Sequence, residues 1–234
     1  MKKIFCTLLA IAFIFLLAGC GGNENTKPNT TQVNNSDSTT SVPSNNTVNE
    51  PSIIDESVLK SYSTASESDF LVKEFEGGVS ISEYKGASSI VVIPEVIEGK
   101  TVTGIDSYVF ANESKVRAVL IPKTVKSLES TFSNSANIEL VICEGVEDVG
   151  YFTFANCAKL SKIVFGEKLT KLGEMSISGC PELTEVNIPS SLTSIDSTYA
   201  WSVFYNCPKL VISGDEGSFI ESFAADNNLK FSAK

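Results

Sequence analysis

Leu183-Thr-Glu-Val186-Asn-Ile188-Pro189-Ser-Ser-Leu192-Thr-Ser-Ile195, closing on Phe204-Tyr-Asn206-Cys207, is one copy of an apolar spelling that this chain writes five times. Within it Val186 and Ile188 alternate across a short strand and point the same way, Asn187 points out, and Pro189 ends the ladder. Leu192 and Ile195 turn back inward on the return side. Phe204 fills the interior, and Asn206 suits a left-handed turn into the next strand at Leu210. Aligning the copies puts a strand-end apolar residue at Ile93, Ile121, Ile142, Phe165 and Ile188, in steps of 28, 21, 23 and 23 residues. A second apolar column falls at Ile105, Leu128, Val149, Leu172 and Ile195, in steps of 23, 21, 23 and 23. An aromatic-rich column follows at Phe110, Phe132, Phe154, Ile177 and Phe204. Three columns in register at one period describe a solenoid, in which each coil covers the apolar face that its neighbour cannot bury alone.

Strands from successive coils then pair in parallel and make one sheet on the inner, concave side. If Val91, Val119, Leu140, Ile163 and Val186 point into the core, the residues after them point out: Val92, Leu120, Val141, Val164 and Asn187. The column before them reads Ile90, Ala118, Glu139, Lys162 and Glu185, so an apolar ribbon is edged by charge. Such a ribbon is a candidate partner groove, although β-branched residues suit a strand on any face. A second candidate lies in the fifth copy, where nine steps separate Ile195 from Phe204 against five between Leu172 and Ile177. The extra residues carry Tyr199 and the only tryptophan, Trp201. Aromatic tips on an outward loop are favoured binding anchors; the plainer reading folds Trp201 down onto the adjacent coil.

The ends differ, as solenoid ends must. Residues 70–75, Glu76-Gly77-Gly78 and residues 79–84 read as a β-hairpin that caps the first coil. At the other end Ser218 and Glu221 have capping-box spacing and open a short helix through Ala225; Asn227-Asn228 can end it, and a last strand runs over 229–231. Residues 53–69 are a short helix or linker. Before them, 23–52 is Asn, Thr, Ser and Pro with little apolar content, a disordered tether with a reach of roughly 30 Å. Lys2 and Lys3 precede the apolar run 4–17 and the sequence Leu17-Ala-Gly-Cys20, so residues 1–19 read as a secretory signal peptide. The LAGC ending resembles a bacterial lipobox and implies lipid attachment at Cys20, whose two acyl chains anchor stably where one would not. The organisation is therefore a signal peptide (1–19), a lipidated cysteine and tether (20–52), a linker (53–69) and a repeat domain (70–234).

Composition narrows the chemistry. Net charge is −10; 18 basic residues less Lys2 and Lys3 leave 16 against 28 acidic ones. An acidic chain without basic runs argues against nucleic acid and anionic lipid as ligands. The chain has no histidine, which removes Ser-His-Asp and Cys-His catalysis and histidine metal sites. It has no glycine-rich phosphate loop and no zinc-type cysteine spacing. Glu144, Glu147 and Asp148, and separately Asp215-Glu216, read as solvated charge, because neighbours on one coil rarely converge as a glycosidase pair must. Cys157, Cys180 and Cys207 share one repeat position. That column reads as buried free thiols, with a Cys157–Cys180 or Cys180–Cys207 bridge as the alternative that coil spacing permits.

The runs Ile90-Val-Val-Ile-Pro94, Gly99-Lys-Thr-Val102-Thr-Gly-Ile105 and Val109-Phe110-Ala-Asn112 resemble the BspA-type leucine-rich repeat family. So do Ile188-Pro189, Ser194-Ile195, Phe204-Tyr-Asn-Cys207 and the closing Gly217-Ser218-Phe219 with Ala224. The likeness covers about residues 70–234, departing at Cys143, where the third coil is short, and at Ile177. It implies an α/β leucine-rich repeat solenoid, right-handed, with a hairpin cap and a helix cap, on a bacterial surface and without shared catalytic residues or cofactors. The expected function is a lipid-anchored, outward-facing protein of the bacterial cell membrane that binds a protein or polysaccharide, adhesin-like and not an enzyme. The alternative is an accessory subunit of an envelope complex with no soluble ligand.

Overall fold

Alternation along each strand and turn residues between strands give a stack of coils in which like residues lie over like. The computed structural model describes residues 51–111, 115–199 and 202–234. An N-terminal helix α1 (Glu56–Ser61) leads through a 3₁₀ turn (Glu67–Asp69) to an antiparallel hairpin, β1 (Phe70–Phe75) and β2 (Gly78–Tyr84). The coils follow as β3 (Ile90–Val92), β4 (Val96–Ile97), β5 (Lys100–Ile105), β6 (Ala118–Leu120), β7 (Ser127–Leu128), β8 (Leu140–Cys143) and β9 (Asp148–Val149). They continue through β10 (Lys162–Phe165), β11 (Lys171–Gly173), β12 (Glu185–Asn187), β13 (Ser194–Asp196) and β14 (Val211–Gly214) to helix α2 (Phe219–Asp226) and β15 (Phe231–Ala233).

The strands form two parallel stacks rather than one. A seven-stranded sheet runs β15-β14-β12-β10-β8-β6-β3, and a four-stranded sheet of very short strands, β13-β11-β9-β7, forms on the return side. The expected α/β character is correspondingly corrected. Among the described residues the only α-helices are α1 and α2; the coils between β6 and β13 return through turns and a two- or three-residue strand, and only the last, between β14 and β15, returns through a helix. Spans that short cannot hold a helical turn and still leave residues for two strands and two corners.

In the long sheet the inward column is Val91, Val119, Val141, Ile163, Val186 and Ile212, all fully buried. This corrects the third coil. Val141, expected to face out, pairs with Val119 and Ile163 and lies in the core; Leu140 and Ile142 face the other way. A slip of one residue exchanges the two faces of a strand. Leu140-Val-Ile-Cys143 is apolar throughout, so alternation could not set its phase. Cys143 is thus the strand-end residue beside Ile121 and Phe165, and Glu144 takes the corner position that Pro94, Pro122 and Pro189 hold elsewhere. Coil contact is close enough there that a Cβ on Gly166 would sit 2.0 Å from the Glu144 carbonyl oxygen; only glycine fits.

The aromatic column is continuous in the first coils. Phe110, Phe132 and Phe154 stack with ring centroids 5.3 Å apart and planes 8° from parallel, and Ile177 occupies the same position one coil on. Corners on either side are left-handed. One column holds Asn134, Asn156, Gly179 and Asn206, and the other holds Tyr108, Ser130, Phe152 and Met175. Asparagine and glycine adopt this conformation readily, whereas a bulky residue does so at a cost.

The hairpin covers the first coil through Val79 and Ile81, with β2 pairing β5 in parallel. At the far end α2 buries Ile220, Phe223 and Ala224 against the last coil. The Ser218 side chain makes no capping bond there; Glu221 instead accepts from the Gly217 N–H at 2.6 Å. Because the aromatic column is packed on both sides, Phe154→Ala should cost about 3–5 kcal/mol. Denaturant unfolding measures it, and an unchanged midpoint would mean that this column does not carry the stack.

Candidate functional site

The outward face of the long sheet carries the apolar column Val92, Leu120, Ile142 and Val164 before turning polar at Asn187. It is occupied by the protein's own N-terminal segment. Asp55 caps α1 by accepting from the Val58 N–H at 2.9 Å, and this orients the one-and-a-half-turn helix with Leu59 down. Leu59 is 0% exposed and, with Ile54, forms a second apolar cluster with Ile90, Val92, Ala118, Leu140 and Ile142. Val58, Tyr62, Leu120 and Val164 pack at its margin. The ribbon expected to receive a partner is therefore largely covered in cis: Val92 is buried, and Leu120, Val164 and Asn187 are half-buried.

Charge fastens this strap at three points. Lys60 of α1 reaches Glu144 at 2.5 Å, Glu56 receives Lys162 at 2.7 Å, and Arg117 forks onto Glu139 while donating to the carbonyls of Pro51 and Ser52. The Ala65 N–H closes the segment by donating to the Val92 carbonyl at 2.8 Å. Glu144 is the corner residue that departs from proline, and it also takes Lys123 at 3.2 Å. The Lys60 hydrogen bond holds the Glu144 carboxyl below its ordinary value of 4.5, and Glu144 in turn raises Lys60. Beside the strap a groove of about 770 Å³ remains open, floored by Val92, Leu120 and Ile142 and edged by Lys60, Lys123 and Glu144.

The other carboxylates disperse. Glu147 pairs with Lys126, Asp148 with Lys171, and Asp215 with Lys234, all at the surface. Among the described residues no group of three or more potential metal ligands comes together, and no helix is long and apolar enough to cross a membrane. Tyr199 is exposed on its insertion, where the Ser197 hydroxyl donates to the Tyr199 carbonyl and accepts from its N–H. Trp201 and Cys20 lie outside the described residues, as do the signal peptide and the tether up to residue 50, whereas the tether's last two residues, Pro51 and Ser52, are held by Arg117.

The cysteine column is a hydrogen-bond ladder that the sequence reading missed. Cys157 donates to the Phe132 carbonyl at 3.2 Å, Cys180 to Phe154 at 3.1 Å and Cys207 to Ile177 at 3.5 Å, and the Ser135 hydroxyl does the same to Phe110. The signal was in the sequence: Ser135 shares the column, and serine and cysteine have in common a short donor rather than redox chemistry. All four described cysteines are free thiols. Contact with the Cys157 thiol, then burial, pushes Cys180 up to about 12; burial raises Cys143, and the Cys180 contact raises Cys207.

A model of the BspA-type leucine-rich repeat region matches residues 84–211 in six copies. The chain belongs to the BspA-type leucine-rich repeat family. Among solved structures, a T. pallidum leucine-rich repeat protein is similar at 22% identity and a TM-score of 0.60, over 64% of this chain and 71% of that one. A leucine-rich repeat protein from Bacteroides ovatus is similar at 23% identity and a TM-score of 0.50, over 62% of this chain and 45% of the other, so less than half of that protein is represented. Both likenesses concern the fold. A comparison with curated proteins finds no match.

Two outcomes follow for this BspA-type chain. Cys143, Cys157 and Cys180 are fully buried, and the raised Cys143 and Cys180 values make their thiolates scarce, so native-state alkylation mapped by mass spectrometry should spare all three and modify them only on unfolding. The strap should be anchored chiefly by Leu59: Leu59→Ala should cost about 2–5 kcal/mol and speed proteolysis within 51–66 while the coils stay folded. Its ion pair adds a pH window. The Glu144 contribution is present above pH 4.5 and lost as pH falls through its depressed value, and the Lys60 contribution is present below 10.5 and lost as pH rises through its elevated one. Proteolysis at 51–66 that ignored both acidification and Leu59→Ala would show that the strap is not held this way.

Proposed function

We propose that this chain is a membrane-anchored surface lipoprotein whose solenoid binds a protein or glycan partner, in the manner of an adhesin, and is not an enzyme. The observation that carries the reading is the division between the interior and exterior of the coils. Interior columns repeat one apolar residue type after another and are filled. The exterior is where coils differ, and there large apolar side chains stand exposed at the corners: Tyr108, Tyr151, Phe152 and Tyr199. Exposed aromatic side chains are favoured contact anchors. Membership of a repeat family supports a scaffold that presents surface, and the dispersal of the carboxylates into ion pairs supports binding over catalysis.

The anchor rests on Lys2, Lys3, the apolar run 4–17 and Leu17-Ala-Gly-Cys20. A diacylglycerol on Cys20 would hold the chain at the outer face of the bacterial membrane, with 23–52 as a spacer and the coils outward. Partner contact is proposed through the open parts of the outward face, at Leu120, Val164 and Asn187 beside the strap, and through Tyr199 and Trp201. Val92 would join it only with the strap displaced. Metabolic labelling with a palmitate analogue should tag the protein through Cys20, and Cys20→Ala should abolish labelling and release the chain from membranes. Labelling that survived the substitution would remove the lipoprotein assignment.

A further inference from the structure

One corner column is not explained by the fold. At the left-handed position two residues before the aromatic column, the backbone asks for glycine or asparagine. The chain supplies Tyr108 at φ 69° and Phe152 at φ 54°. Core packing does not require them, since neither belongs to the buried core and Tyr108 is 64% and Phe152 44% exposed. Between them in the column sits Ser130, buried and small, so the two rings are separated by a gap instead of a third side chain. Their corners are fixed: the Tyr108 N–H donates to the Ser130 carbonyl, and the Phe152 N–H to the Glu174 carbonyl.

The spacing is set by the stack. Interior rings repeat every 5.3 Å, so residues two coils apart lie roughly 10 Å from one another. That is close to the length of a disaccharide unit in an extended β-1,4-linked chain, in which every second sugar presents the same face. Beside the rings stand exposed Tyr151 and Glu129 and half-buried Glu174; the carboxylates can accept from sugar hydroxyls, and the Tyr151 hydroxyl can accept or donate. The carboxylates, on a chain of net charge −10, disfavour a polyanion. A protein hot spot gathers its anchors in one central packed pocket, whereas these two rings stand two coils apart in one column.

We propose that the corner column carrying Tyr108 and Phe152 is a platform for a neutral, extended β-1,4-linked glycan, each ring stacking on alternate sugars while Glu129 and Glu174 hydrogen-bond their hydroxyls. The proposal rests on the reading of the solenoid as a binding module and names the ligand class for it.

The test is retention of the full chain on cellulose and on chitin beads, with hydroxyethyl cellulose in native gels as the soluble probe. Retention on at least one of these polymers is expected, little changed by salt. Tyr108→Gly and Phe152→Gly relieve the left-handed backbone, so both variants should unfold no earlier than the parent, yet each should weaken retention about tenfold or more. Tyr108→Phe should keep it. No retention on any of the three polymers, or retention unchanged in both glycine variants, overturns the proposal. Capture of a protein partner without glycan retention would overturn it too, while leaving the binding-module reading in place.

Discussion

Everything in this molecule depends on the backbone hydrogen bonds between one coil and the next. They fix the coil step near the spacing of paired strands, and at that step each interior side chain has to pack on its counterparts above and below. Phe110 must accept Phe132, and Phe132 must accept Phe154, face to face. Wherever two backbones crowd, a glycine such as Gly166 is obligatory. The same rule governs polar groups. Carbonyls at the aromatic column point toward the next coil, and a short donor at one repeated position satisfies each, whether Ser135, Cys157, Cys180 or Cys207. The cysteines are therefore structural hydrogen-bond donors whose sulfur also fills space, and that explains why a row of them stays unbridged.

The outward face follows a different economy. A parallel sheet with apolar residues on both faces needs cover on both, and the coils cover only one. The strap supplies the rest over β3, β6 and β8, with Leu59 as its plug and Glu56, Lys60 and Arg117 as its fasteners. Further along the stack the outward column gives way to Asn187 and Ser213, so the need for cover ends about where the strap does. The face that resembled a binding groove in sequence is thus mostly an internal interface, which is why the proposed contact surface shifts toward the exposed aromatic corners.

Most of the stack was legible because its signal is repeated. Three columns at one period specify the solenoid and, outside the third coil, the core residues that fill those columns, while the two ends were read separately from the Gly77-Gly78 turn and the apolar spacing after Ser218. What escaped was local. Leu140-Val-Ile-Cys143 has no alternation, and its phase is set only by pairing with β6 and β10. The return side was expected to differ from a second sheet, yet spans such as Ser127–Leu128 are too short to show any pattern of their own. The strap is a contact between Leu59 and residues 31 to 83 positions away in sequence, invisible to periodicity. The left-handed corners at Tyr108 and Phe152 ran against residue preference, so preference alone could not have located them.

The Arg117 clamp has a mechanical consequence. Any pull transmitted along the chain from before Pro51 arrives first at the carbonyls of Pro51 and Ser52, both held by one guanidinium that is itself forked onto Glu139 of the next coil. Force therefore enters the stack at its second and third coils. A load on the leading segment would have to break the Arg117 contacts and then drag Ile54 and Leu59 off the sheet before it reached the hairpin cap. The strap works as a strain relief: it keeps tension at the chain's leading end away from β1 and β2, whose antiparallel pairing would otherwise be the first structure in line.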